Sequence, residues 1–177
     1  MALRPTIYKL KISLSDLDRH YYDTLNLTLA QHPSEKLERM MARVVAYCLN
    51  AEEGLAFSKG GLSEPDEPDL ATYELDGRLS RWIDVGEPAV DRLKKACRLT
   101  SRVSVYSFNS KSEVWWAQNR EKLATLPLSV YQLPWSDIQT VASMVERVMA
   151  LSVTISGDAV HVAADSGECE LRITTLQ

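Results

Sequence analysis

The sequence predicts an α/β protein with a mixed β-sheet flanked by helices. Three observations predict it. Two stretches near the start, "TIYKLKISLSDLDR" and "YYDTLNLTLAQH", alternate polar and apolar residues as half-buried strands do. Later segments repeat their apolar residues at helical spacing. From residue 79 to 133, β-rich and helical runs take turns, an order that implies parallel pairing through right-handed crossovers.

The two opening stretches form an antiparallel pair joined by a polar segment. In "HPSEKLERMMARVVAYCLN", Ser34 is a suitable N-cap and Glu35 lies in the first turn, while Leu37, Met40, Met41, Val44 and Cys48 mark the face that packs on a sheet. "SKGGLSEPDEP" is a loop by its glycine, proline and acid content. It leads into a hairpin centred on Asp76-Gly77. Next, "EPAVDRLKKACRL" is a helix with Pro88 at its start and Val90, Leu93 and Cys97 on one stripe. "RVSVYSF" is a strand, "KSEVWWAQNREKL" a helix, "LSVYQL" a strand, and "SDIQTVASMVERVMAL" a helix capped by Ser136. The tail contains two or three short antiparallel strands turning at Gly157-Asp158 and Ser166-Gly167.

A chain of 177 residues suits one domain, 1–177, with a sufficient core of its own. Its apolar runs are too short to span a membrane, and the alternating N-terminus lacks the apolar core of a signal peptide. The expectation is a soluble, cytoplasmic protein with no membrane partner. Cys48, Cys97 and Cys169 stand apart, without C-x-x-C or zinc-site spacing to His20, His32 or His161, and read as reduced thiols. The net charge of −4 argues against a nonspecific coat on nucleic acid. Residues 124–177 hold two basic side chains (Arg147, Arg172) against six acidic ones, so a polyanion would have to meet the first two-thirds of the chain.

The hairpin carries the chemistry. A two-residue turn at Asp76-Gly77 sets Tyr73 opposite Ser80, Ala71 opposite Trp82, and Asp69 opposite Asp84. Like charges facing each other across two strands destabilise a sheet, so something must offset them. A divalent cation between them is the simpler account: Mg²⁺ or Mn²⁺ held by two carboxylates activates water and stabilises the charge of phosphodiester cleavage. The alternative is that Asp69 merely opens a strand after Pro68, Asp84 is solvated, and a bulge breaks the register.

Pro68-Asp69, the hairpin and Asp84-x-Gly86, followed by a helix and a parallel strand, resemble the core of the PD-(D/E)XK (restriction-endonuclease-like) nuclease superfamily. Over nearly the full length, through "TIYK", "LTLAQHPSE", "ERMMAR", "LKKAC", Asn109-Ser110 and "WWAQN", the chain more closely resembles the YaeQ family of bacterial proteins. The superfamily resemblance implies that Asp69 and Asp84 bind the metal, that a glutamate of the first helix assists, and that a lysine follows the second acid by two residues. That last position is Gly86. Lys94, bordering the Val90–Cys97 stripe, is the favoured substitute, and Lys95 points about 100° further round. Two solvated lysines are the plainer alternative. Of the helix glutamates, Glu38 shares a side with Met41 and Val45 and is favoured over Glu35, though an ion pair with Arg39 or Arg43 would serve it equally.

Trp115 and Trp116 offer a stacking surface for an unpaired base or, alternatively, a core anchor. Arg92, Lys94, Lys95, Arg98 and Arg102 form a local basic run. Two functions follow from these residues and the resemblance. One is a Mg²⁺- or Mn²⁺-dependent nuclease acting on DNA or RNA through Asp69, Asp84, Lys94 and Glu38. The other is a non-catalytic protein with a nuclease-like framework that binds a protein partner in transcription or repair. Gly86 favours the second.

Overall fold

The structure, a computed structural model, describes residues 3–59 and 65–177. In chain order the elements are β1 (Thr6–Asp16), β2 (Tyr21–Gln31), α1 (Leu37–Leu49), β3 (Ala56–Phe57), β4 (Leu70–Tyr73), β5 (Leu79–Val85), α2 (Val90–Leu99) and β6 (Val103–Ser107). They continue as α3 (Ser112–Leu123), β7 (Leu128–Gln132), α4 (Trp135–Ser143), β8 (Val148–Ser156), β9 (Ala159–Ala164), β10 (Gly167–Arg172) and β11 (Thr174–Thr175). The fold is mixed α/β, but it contains two mixed sheets where the sequence pattern suggested one. Each sheet belongs to one of two compact units, Met1–Leu49 with Pro134–Ile173, and Asn50–Leu133 with Thr174–Gln177.

The first unit's sheet runs β10-β9-β8-β1-β2. β1 and β2 pair antiparallel over their whole length, from Thr6 with Gln31 to Asp16 with Tyr21. Tyr8, Leu10, Ile12 and Leu14 alternate into the core, as strand periodicity requires. Asp16 closes the turn by accepting the Asp18 and Arg19 backbone N–H groups at 3.1 Å and Arg19 Nε at 2.6 Å. The helix expected through Leu151 ends at Ser143, and β8 runs parallel to β1. Leu151, Val153 and Ile155 are buried on alternate positions, so partnership with β1 overrides the helical reading. The caps also differ from expectation. Pro134 precedes α4, and Ser34 lies ahead of α1 with its hydroxyl 2.7 Å from His32 Nδ1.

The second unit's sheet runs β11-β7-β6-β5-β4-β3, with β5, β6 and β7 parallel as expected and antiparallel strands outside them. α2 and α3 cover one face. Leu93, Ala96, Trp115 and Leu123 close there over Trp82, Val103, Val105, Leu128 and Val130. Strand alternation then puts Asp84 on the same face as Trp82, at the carboxyl end of β5.

The hairpin between β4 and β5 reaches the predicted register by another route. Gly77 N–H bonds to Glu74 O at 2.9 Å and Glu74 N–H to Arg78 O at 2.8 Å, so Leu75, Asp76 and Gly77 form a three-residue loop in place of the two-residue turn. Gly77 takes φ +86°, as the last residue of such a loop requires. That loop pairs Tyr73 with Leu79, one residue away from the predicted alignment. A bulge beyond it restores the predicted alignment: Thr72 pairs with Arg81, Ala71 with Trp82 and Leu70 with Ile83. Ser80 is the extra residue. Asp69 immediately precedes Leu70, just outside β4, and Asp84 immediately follows Ile83.

Candidate active site

The loop that delivers Asp69 is described only in part, since residues 60–64 lie outside the described residues. Pro68 is buried and Asp69 half-buried. The Asp69 carboxylate accepts the Val85 backbone N–H at 2.7 Å, which ties the start of β4 to the end of β5. Asp84 is 2% exposed. Burial pushes its carboxyl above the usual carboxylate range and the Asp69 charge adds to that push, while Arg92 pulls the other way.

Arg92 is the cation between the acids and solvent. Its guanidinium is forked onto Asp84, Nε to Oδ2 at 2.8 Å and Nη2 to Oδ1 at 3.0 Å. It also lies over the Trp82 ring, 5.1 Å from its centroid. The carbonyls of Pro65 and Glu67 accept from the same guanidinium, the latter at 2.6 Å. Lys95 Nζ meets Asp66 Oδ1 at 2.7 Å, so residues 65–67 are held against α2 at two points. Arg92 is thus the cation that the structure places on Asp84.

Lys94 is exposed, with no ion pair among the described residues, and Lys95 reaches the Asp66 segment. The expected phasing of α2 is displaced because its buried residues are Leu93 and Ala96, with Cys97 only half-buried. On a 3.6-residue helix Ala96 lies about 40° from Arg92, which brings Arg92 and not Lys94 beside the buried stripe. The sequence signal was present, since Arg92 belongs to the basic run, but the stripe was centred one residue too late.

Gly86 has φ +128°, where L side chains are strained, and its N–H bonds to Tyr106 O at 2.8 Å. The chain has therefore left strand geometry at the position where the superfamily pattern would have its lysine. Glu87 next accepts from Ser107 Oγ at 2.9 Å, from the Phe108 and Asn109 backbone N–H groups at 3.2 Å, and from Asn109 Nδ2 at 2.7 Å. Ser107 in turn bonds the buried Ser112 hydroxyl at the start of α3. Glu87 thus pins the loop after β6 beside the end of β5, a role that sequence reasoning missed. Asn109 of the noted Asn109-Ser110 pair is its partner.

Glu38 is half-buried on α1 of the first unit, whereas Asp69, Asp84 and Arg92 belong to the second. Glu35 is buried, and Arg39 and Arg43 each donate to it at 2.5 Å. Among the described residues no cluster of three or more His, Cys, Asp or Glu is poised around a metal.

A family model described as YaeQ protein matches residues 1–173. The chain belongs to the YaeQ family. It is 36% identical over its whole length to the uncharacterized protein YaeQ of Escherichia coli (strain K12), and 37% identical to that of Salmonella typhi, covering 98% of each. The crystal structure of YaeQ protein from Xanthomonas axonopodis pv. citri is similar with a TM-score of 0.94 at 34% identity over 98% of both chains. That of YaeQ protein from Pseudomonas syringae has a TM-score of 0.92 at 37% identity, over 98% of this chain and 96% of its own. The YaeQ fold therefore extends over both units. No helix among the described residues is long and apolar enough to cross a membrane.

Proposed function

We propose that the chain is a divalent-metal-dependent phosphodiester hydrolase acting on DNA or RNA, with a PD-(D/E)XK-like core formed by β4, β5, α2 and β6. One observation carries this reading: a deeply buried carboxylate with a raised pKa, Asp84, lies beside a second carboxylate at the carboxyl end of a parallel strand. Perturbed acids in such places are functional-site candidates. The donor set fits Mg²⁺ or Mn²⁺, since both groups are hard oxygen ligands and such ions are commonly held by one or two carboxylates plus waters and phosphate oxygens. When bound, the ion would supply an activated water and charge stabilisation.

The chain's own residues supply the rest. Asp69 and Asp84 would hold the ion. Arg92 takes the role of the missing lysine, because its planar fork matches two phosphate oxygens as well as it matches the Asp84 carboxylate. In the structure Arg92 neutralises Asp84, and a bound phosphate would compete for its guanidinium. Glu87 keeps the neighbouring loop in place through Ser107 and Asn109.

The second reading is the non-catalytic interaction protein. Two observations favour it: the Gly86 backbone disfavours the usual lysine, and Arg92 already occupies both oxygens of Asp84. Cleavage assays separate the two. Wild type and Asp84→Asn, purified identically, are incubated with single strands, duplexes, RNA and branched DNA in Mg²⁺ or Mn²⁺. The hydrolase reading expects cleavage that the substitution removes. Intact substrates throughout, or equal cleavage by both proteins, favour the interaction protein.

A further inference from the structure

A cavity of about 940 Å³ lies within the second unit, beside the amino ends of β6 and β7 and the last turns of α3. Arg81, Arg102, Arg120 and Trp116 line it, along with Glu121 and apolar side chains that include Leu126. It shares none of these residues with the acids at the carboxyl end of β5.

The two tryptophans of α3 divide their work. Trp115 is 9% exposed and donates its Nε1–H to Pro88 O at 3.0 Å, so it anchors the helix in the core. Trp116 is half-buried, packs against the edge of the core and lines the cavity. Arg120 follows it by four residues and so occupies the same side of the helix. On the other wall, Glu52 joins two arginines, with Oε2 2.9 Å from Arg102 Nη2 and Oε1 3.4 Å from Arg81 Nε. Asn50 Oδ1 accepts from Arg81 at 3.0 Å. Glu52 thus holds both guanidinium groups in place at the cavity wall.

Guanidinium groups favour phosphate, a partly exposed indole favours a flat ring, and a volume of this size accepts a drug-sized ligand. We propose that this cavity binds a nucleotide unit, its heteroaromatic base against Trp116 and its phosphate between Arg102 and Arg120. The same chemistry arises from a free mononucleotide or from an unpaired residue of a strand. Neither source requires the Asp69–Asp84 site to be a hydrolase.

Isothermal titration with adenosine monophosphate, thymidine monophosphate, adenosine, inorganic phosphate and a 5′-phosphorylated single-stranded oligothymidylate tests the site. The expected result is binding of a nucleotide-bearing ligand, at least about tenfold weaker binding of adenosine or phosphate alone, and a loss of about tenfold in Arg120→Ala and in Trp116→Leu. Asp84→Asn should bind as wild type does, whatever its effect on cleavage. Binding of the mononucleotides assigns the free-nucleotide source, and binding of the oligonucleotide alone assigns the strand. Absence of heat with every nucleotide ligand overturns the proposal, as does wild-type affinity in Arg120→Ala, whose exposed side chain can be removed without touching the core.

Discussion

A carboxylate buried as deeply as Asp84 is costly to ionise beside a second aspartate, and the Arg92 fork offsets that cost within the fold itself. Removing Arg92 leaves a buried charge without its partner, a change that typically costs about 3 to 5 kcal/mol. Arg92→Ala should therefore be strongly destabilised in urea denaturation without metal, whereas Lys94→Ala, at an exposed position, should stay within about 0.5 kcal/mol of wild type. Equal effects would return Lys94 to the site. Glu52 makes the opposite electrostatic case. Burial raises its pKa, but hydrogen bonds from Arg102 and Thr72 and the charge of Arg81 outweigh burial and hold it below the ordinary range. Its contribution is thus fully present above the unfolded-state pKa of about 4.3 and is lost as pH falls through the lower folded value. Tm measured against pH should show wild type above Glu52→Gln at pH 6, with the two curves converging on the acid side of pH 4. A gap that persists at the acid limit would contradict the ion-pair account.

At the scale of elements, the chain leaves strand geometry just after β5. Gly86 sits at φ +128° with open space around a would-be Cβ, so backbone strain and not crowding disfavours a side chain. Gly86→Lys should cost about 1 to 3 kcal/mol and should not raise any cleavage rate, as checked by denaturation and single-turnover assay. A stable, faster variant would show that the strand end can accept the lysine after all. The Asp69–Asp84 juxtaposition was legible in the sequence because strand alternation fixes which residues share a face. Its register emerged from two departures that cancel, a longer loop and the Ser80 bulge, neither of which the Asp-Gly signal discloses. Arg92 was less legible: helical periodicity places a stripe only to within one residue, and Ala96, not Cys97, is the buried member. The strand within "VERVMAL" was hidden for another reason. Its partner is β1, far away in sequence, and local periodicity says nothing about such pairing.

At the scale of the whole molecule, the chain has two compact units, each with its own mixed sheet, and the candidate acids, Arg92 and the arginine-lined cavity all belong to the second. Asp69, Asp84, Arg92 and the three arginines of the cavity all fall in residues 1–123, outside the acidic surplus of residues 124–177. Under the proposed function Asp69 and Asp84 share one cation site, where Arg92 lies on Asp84 in the structure. A ligand that binds only the native state raises its stability by mass action, so thermal denaturation with increasing Mn²⁺ reads the site directly. Wild type should gain Tm with Mn²⁺, Arg92→Ala should gain more because its acids have no competing cation, and Asp84→Asn should gain nothing. Equal shifts in all three proteins, or no shift in either wild type or Arg92→Ala, would contradict it.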